Sequence, residues 1–179
     1  MPVFTIPNVQ NADKSQFYKG FYLALVYLNK IPPHLLFIIS GKVYSITIKG
    51  KQEGEPVQVL LKTISLKQIQ CLFLQIDLPV LNLNGTSAKE AVELIMRKYS
   101  VVNSQTTCLS PLRDFFSSNL SADISKASVI FDLITELYKF KCIKNVYHLF
   151  LDKRLINNNI EIETYSVQDI YQRINQLSK

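Results

Sequence analysis

Residues 34–48 constrain this chain more than any other stretch. The run 34–40 is almost purely apolar, with β-branched and aromatic side chains suited to a buried strand. Gly41 and Lys42 then offer a two-residue turn, and 43–49 alternates Val43, Ser45 and Thr47 against Tyr44, Ile46 and Ile48. An apolar run, a glycine turn and an alternating run in succession predict a β-hairpin, with 34–40 antiparallel to 43–48.

The rest of the chain is read around that hairpin. Phe17, Phe21, Leu25 and Leu28 recur at helical spacing, and Asp13 or Ser15 can cap them, so the pattern predicts a helix over 13–29, ended by Pro32 and Pro33. Residues 50–55 read as a polar turn and 57–63 as a third strand. A helix over 65–76 is predicted with Ser65 as its cap, Leu66, Ile69, Leu72 and Phe73 on one face, and Cys71 as a small hydrophobe within it. Residues 77–85 read as a loop. Ser87 and Glu90 have capping-box spacing, which predicts a helix to Tyr99, and 100–107 is a polar connection. Pro111 suits the first turn of a short helix to Leu120, since that turn leaves a backbone N–H unpaired anyway. An amphipathic helix over 125–140, an ambiguous 144–151, an alternating strand over 160–165 and a terminal helix capped by Ser166 complete the reading. The expectation is a single α+β domain over 1–179, a hairpin and sheet core packed with several helices.

Composition narrows the function classes. The chain has 179 residues, 47% of them hydrophobic, enough for a real core and too many for disorder. A net charge of +6 invites nucleic acid, but the lysines are scattered. The densest group, Lys139, Lys141 and Lys144, falls short of a phosphate-tracking stripe, so no specific nucleic acid partner is expected. The N-terminal residues lack a basic region ahead of an apolar run, which predicts no secretory signal. The longest apolar stretch, 21–28, is too short to span a bilayer, which needs about 20 residues. Cys71, Cys108 and Cys142 are odd in number and without metal-ligand spacing, which fits a reducing, cytoplasmic setting. There is no glycine-rich phosphate loop and no Gly-x-Ser-x-Gly elbow, so no cofactor is expected.

Two residues carry the candidate chemistry. Cys108 precedes Ser110-Pro111 at a predicted helix start, where unpaired N–H groups and the helix dipole favour a thiolate and can hold an oxyanion. His34 leads the first hairpin strand, and a neutral imidazole is the usual base for a thiol nucleophile. Ser45 and Thr47, on one face of the second hairpin strand, are the candidates to orient His34, and Gln105 is a candidate oxyanion donor. His148 reads as a packing or surface residue, and Glu161 and Glu163 as solubilising residues of a surface strand.

The order of these parts, with Pro33-His34 leading a strand and Thr107-Cys108 following 108 − 34 = 74 positions later, resembles the circularly permuted papain-like superfamily. That group includes NlpC-related hydrolases, PPPDE peptidases and lecithin:retinol acyltransferase-like enzymes. The likeness covers roughly residues 31–120. Relatives often place a second histidine or another strong polar group on the next strand, where this chain has Ser45 or Thr47. The resemblance implies a cysteine-dependent hydrolase or acyltransferase acting on a peptide, isopeptide or acyl bond without a cofactor. The competing expectation is a non-catalytic α+β module that binds another protein.

Overall fold

The computed structural model describes residues 2–120 and 123–178. Along the chain lie β1 (Val3–Ile6), β2 (Val9–Asn11), β3 (Phe21–Val26), β4 (His34–Ile39), β5 (Lys42–Thr47), β6 (Gly50–Pro56), α1 (Val57–Lys67), β7 (Cys71–Ile76), α2 (Ala88–Met96), α3 (Ser110–Asn119), α4 (Ile130–Lys139), β8 (Ile143–Leu149), β9 (Ile160–Glu163) and α5 (Val167–Leu177). The sheet order is β2-β8-β7-β3-β4-β5-β6. Only the β2–β8 pair is parallel among the described residues, and β1 pairs with β9 in a separate antiparallel ribbon. The class is α+β, as the sequence predicts.

Side-chain alternation divides the core into two layers, one on each face of the sheet. Phe21, Leu23 and Leu25 of β3, with Leu35, Phe37 and Ile39 of β4, pack against α2, α3, α4 and α5. Tyr22, Ala24 and Val26, with Leu36 and Ile38, pack on the opposite face against Phe17 and the Val57, Leu61 and Ile64 stripe of α1. The central strands are therefore apolar on both faces.

That double burial explains the largest departure from the sequence reading. Residues 13–29 are not one helix. A single 3-10 turn, Lys14–Tyr18, capped by the Asp13 carboxylate, ends before Gly20, which has φ +77°. Phe21–Val26 then runs as the middle of the sheet, every side chain buried. An unbroken apolar run satisfies helical and strand spacing alike, and the paired neighbours decide for strand. The prediction for 50–76 is corrected for a related reason. Residues 50–55 are strand β6 rather than a turn, and 57–63 is helix rather than strand. Helix α1 opens directly after Pro56 and ends with Gln68 in the left-handed region, φ 49°, where its N–H closes on Ile64 and Ser65 carbonyls. The expected helix over 65–76 is thus the last turn of α1 followed by β7, and Cys71 is a fully buried strand residue. The ambiguous 144–151 is mostly strand β8.

The hairpin forms with its turn one residue early. Ile39 faces Lys42 and Phe37 faces Tyr44, so the turn is Ser40-Gly41, with φ values of 48° and 74°. Two successive positive φ values give the primed turn whose twist matches the strands. Helix α4 starts at Ile130 rather than near Ser125, because the Asp132 carboxylate accepts from the Ser128 and Val129 N–H groups and fixes the cap there. At the start of α2 the predicted capping box is present: Ser87 Oγ accepts from Glu90 N–H, and the Glu90 carboxylate accepts from Ser87 N–H. Ser87→Ala is expected to cost about 1 kcal/mol in urea unfolding. An unchanged midpoint would show that α2 is held by burial of Val92, Ile95 and Met96 alone.

Candidate functional site

The site begins where the hairpin comes apart. The Ser40 N–H donates to the Gly20 carbonyl, which sets the parity of β4: His34 and Leu36 turn their backbone groups toward β3, while Leu35, Phe37 and Ile39 turn theirs toward β5. Phe37 and Ile39 meet Tyr44 and Lys42 there, but the β4–β5 pairing stops at Tyr44. Opposite Val43 and Tyr44 the β5–β6 ladder carries a bulge, with Gly54 as the extra residue of β6. Leu35 is left facing a gap.

The connection between α2 and α3 fills that gap. Val102 N–H donates to the Thr47 carbonyl at 2.9 Å, tying the connection to the end of β5. Phe115 and Phe116 of α3 pack on Phe21 and Phe37 with ring centroids 5.3–6.5 Å apart, which fixes the helix over the sheet. Cys108, just ahead of α3, is thereby brought against β4. The backbone of Leu35 lies near enough to Cys108 to influence its thiol.

Cys108 precedes the helix rather than opening it. The cap is Leu109 and the helix begins at Ser110, with Thr107 N–H donating to Ser110 Oγ and Leu109 N–H to Thr107 Oγ1. The side chains of Thr107 and Ser110 therefore take up part of the donor potential expected to favour a thiolate. Burial dominates and pushes the Cys108 thiol up, and the backbone of Leu35 and of Cys108 itself only partly opposes it. Cys71 and Cys142, fully buried, are both pushed up to about 12 by desolvation.

His34 is half-buried, and burial brings its imidazole down to about 4, so it is neutral at pH 7. Strand alternation puts it with Leu36 and Ile38 on the α1 face, whereas Cys108 packs with the core of the other face. Both nevertheless line one cavity of about 270 Å³ at the end of the sheet. A second hollow of about 260 Å³ lies toward α1, and Tyr27, His34 and Thr47 line both. His34 thus stands at the gap between two openings. Among the described residues no hydrogen bond joins it to Cys108.

The other expected site residues separate. Thr47 lines both hollows, but its hydroxyl donates to the Gly50 carbonyl and accepts from Lys49 N–H. Ser45 is buried and its hydroxyl donates to Gln52 Oε1 at 2.7 Å. Neither bonds to His34 among the described residues, because the β5–β6 hairpin uses both hydroxyls internally. Gln105 is exposed, lies outside the cavity lining, and its N–H donates to Asn103 Oδ1. His148 is buried in β8, where its Nδ1 accepts from Leu151 N–H, in keeping with a packing role.

Sequence reasoning missed the far wall. Helix α5 contributes Ile170, Arg173, Ile174 and Leu177, and the loop after β3 contributes Tyr27 and Lys30. Tyr165, just before α5, is raised by burial and by its nearness to Cys108. The only legible signal was the amphipathic spacing of Ile170 and Ile174. No family model, curated protein or solved structure matches this chain. Among the described residues no helix is long and apolar enough to cross a membrane.

Proposed function

We propose that the cavity at the end of the sheet is the site of a cysteine-dependent hydrolase or acyltransferase acting on an acyl, peptide or isopeptide bond. The observation that carries this is the joint lining of one cavity by Cys108 and His34, residues far apart in sequence. The resting pair is neutral thiol and neutral imidazole, since burial raises one and lowers the other. The reaction then runs by general-base catalysis rather than from a standing thiolate. Cys108 Sγ attacks the carbonyl carbon as its proton passes to His34, and the carbonyl π pair moves onto oxygen. The backbone N–H groups of Leu35 and Cys108, both beside the thiol, are the proposed donors to that oxyanion. Collapse of the intermediate expels the leaving group, which takes the proton back from His34, and leaves a thioester. Water or an acceptor nucleophile then releases the acyl group.

A second reading, a non-catalytic binding module, is favoured by the same two burial effects and by the opposite sheet faces that His34 and Cys108 occupy. Acylation separates the two. With p-nitrophenyl octanoate as probe, wild type is expected to show a burst of nitrophenolate with acyl recovered on Cys108. His34→Gln, which keeps the size of the side chain, is expected to slow the burst about 100-fold or more. A burst rate indifferent to His34, or acyl found on other residues, would leave the binding module as the reading.

A further inference from the structure

The chemistry of the cavity wall points to a particular kind of ligand. Its lining is largely apolar: Ile46 and Ile48 from the hairpin face Ile170, Ile174 and Leu177 of α5. Two cations, Lys30 and Arg173, also line it, and among the described residues no carboxylate does. Among the described residues neither cation is in a salt bridge. The Lys30 ammonium lies 4.6 Å from the centroid of the Tyr27 ring, which holds it beside the cavity. Arg173 is half-buried on α5, and its Nη1 donates at 3.5 Å to Gln176 Oε1 on the same helix. Glu163 lines a neighbouring hollow whose wall Lys30 and Arg154 also form, but among the described residues it is in no salt bridge with Lys30.

We infer that this cavity binds a medium-chain carboxylate, its tail between α5 and the hairpin and its head group on Lys30 and Arg173. An apolar slot whose charged lining residues, among those described, are both cations selects an amphiphile with one anionic head over a neutral or cationic one. The guanidinium fork favours a planar carboxylate, which it can grip through two parallel hydrogen bonds. The cavity, about 270 Å³, has room for an alkyl chain of moderate length, for which octanoate serves as the probe. The inference goes beyond the proposed reaction, because the cations and the slot serve a ligand whether or not Cys108 reacts with it.

The test is calorimetric titration of octanoate, octanol, octylamine and octyl sulfate into the full chain and into Cys108→Ala, which cannot form a thioester. Octanoate is expected to bind both proteins alike, about tenfold tighter than octanol and octyl sulfate, with octylamine weaker still. Lys30→Gln and Arg173→Gln are expected to cost about tenfold each for octanoate and leave octanol unchanged. Octanol binding as tightly as octanoate, octanoate binding indifferent to both substitutions, or no binding of octanoate at millimolar concentration would each overturn the inference. Octanoate binding with no acylation of Cys108 would overturn only the catalytic reading. Acylation by the octanoyl ester with no octanoate binding would overturn only this one.

Discussion

Phe115→Ala is expected to destabilise the protein by about 3–5 kcal/mol, a large share of the 5–15 kcal/mol typical of a whole domain. Phe115 is fully buried, and its ring meets Phe21 and Phe37 edge-on at 5.3 Å and Phe116 at 5.1 Å. Truncation leaves a cavity between α3 and the middle of the sheet, where two strands and the rest of the helix are locked by their own neighbours and cannot close in. The loss also reaches the site, because α3 is what holds Cys108 against Leu35. Urea unfolding of the variant is therefore expected to show the midpoint shift together with faster alkylation of Cys108 in native buffer. Leu66→Ala, at a position 76% exposed on α1, serves as the control and should change stability by less than about 0.5 kcal/mol. A Phe115→Ala loss as small as the control's would mean that the aromatic cluster is not what fixes α3.

The hairpin and the starts of α2, α3 and α5 were legible in the sequence because each rests on a local signal. Ser87 with Glu90 and Ser166 with Asp169 form the capping boxes that their spacing announces. Pro111 sits in the first turn of α3 as its missing N–H requires. What failed lay where burial is two-sided. Phe21–Val26 and Cys71–Ile76 are central strands covered on both faces, so they carry no polar alternation to mark a period of two. Leu66, Ile69, Leu72 and Phe73 matched a helical stripe only because the count ran through Gln68, where the chain turns at φ 49° without a glycine to signal it.

The candidate site divides along the same line. His34 and Cys108 could be named from residue type and local setting, and both line the cavity. Nothing local says that β4 and β5 stop pairing beyond Tyr44, or that the connection 100–107 is tied to the end of β5. The same holds for Lys30 and Arg173, which become neighbours of the cavity only through the docking of α5. Ser45 and Thr47 were sound as strand-face hydroxyls, but their partners in β6 were hidden by reading 50–55 as a turn.

Stability is expected to fall by up to about 3 kcal/mol between pH 7 and pH 4, with His34 as the main cause. Its imidazole titrates near 4 in the folded chain against 6.5 when unfolded, because folding removes it from water. Between those values the unfolded chain binds the extra proton, so stability rises with pH and is complete above about 6.5. It is lost as pH falls from there toward 4. The drop from 6.5 to about 4 corresponds to about 3 kcal/mol, an upper figure because two hollows admit solvent to the ring. His148, also lowered by burial with Asp152 opposing, acts in the same direction. The capping carboxylates Asp13, Glu90 and Asp169 are held low by hydrogen bonds at their helix starts, so their contribution is present above the carboxylate range and is lost only in stronger acid. The window from 6.5 to 4 therefore belongs mainly to the histidines. Urea unfolding at pH 7 and at pH 4.5 is expected to show the loss in wild type and a loss smaller by about 2 kcal/mol or more in His34→Gln, which has no proton to gain. Equal losses in the two proteins would mean that His34 is as well solvated folded as unfolded. The imidazole would then titrate near 6.5, half-protonated just below neutral pH, and the neutral base that the proposed reaction requires would be only partly present there.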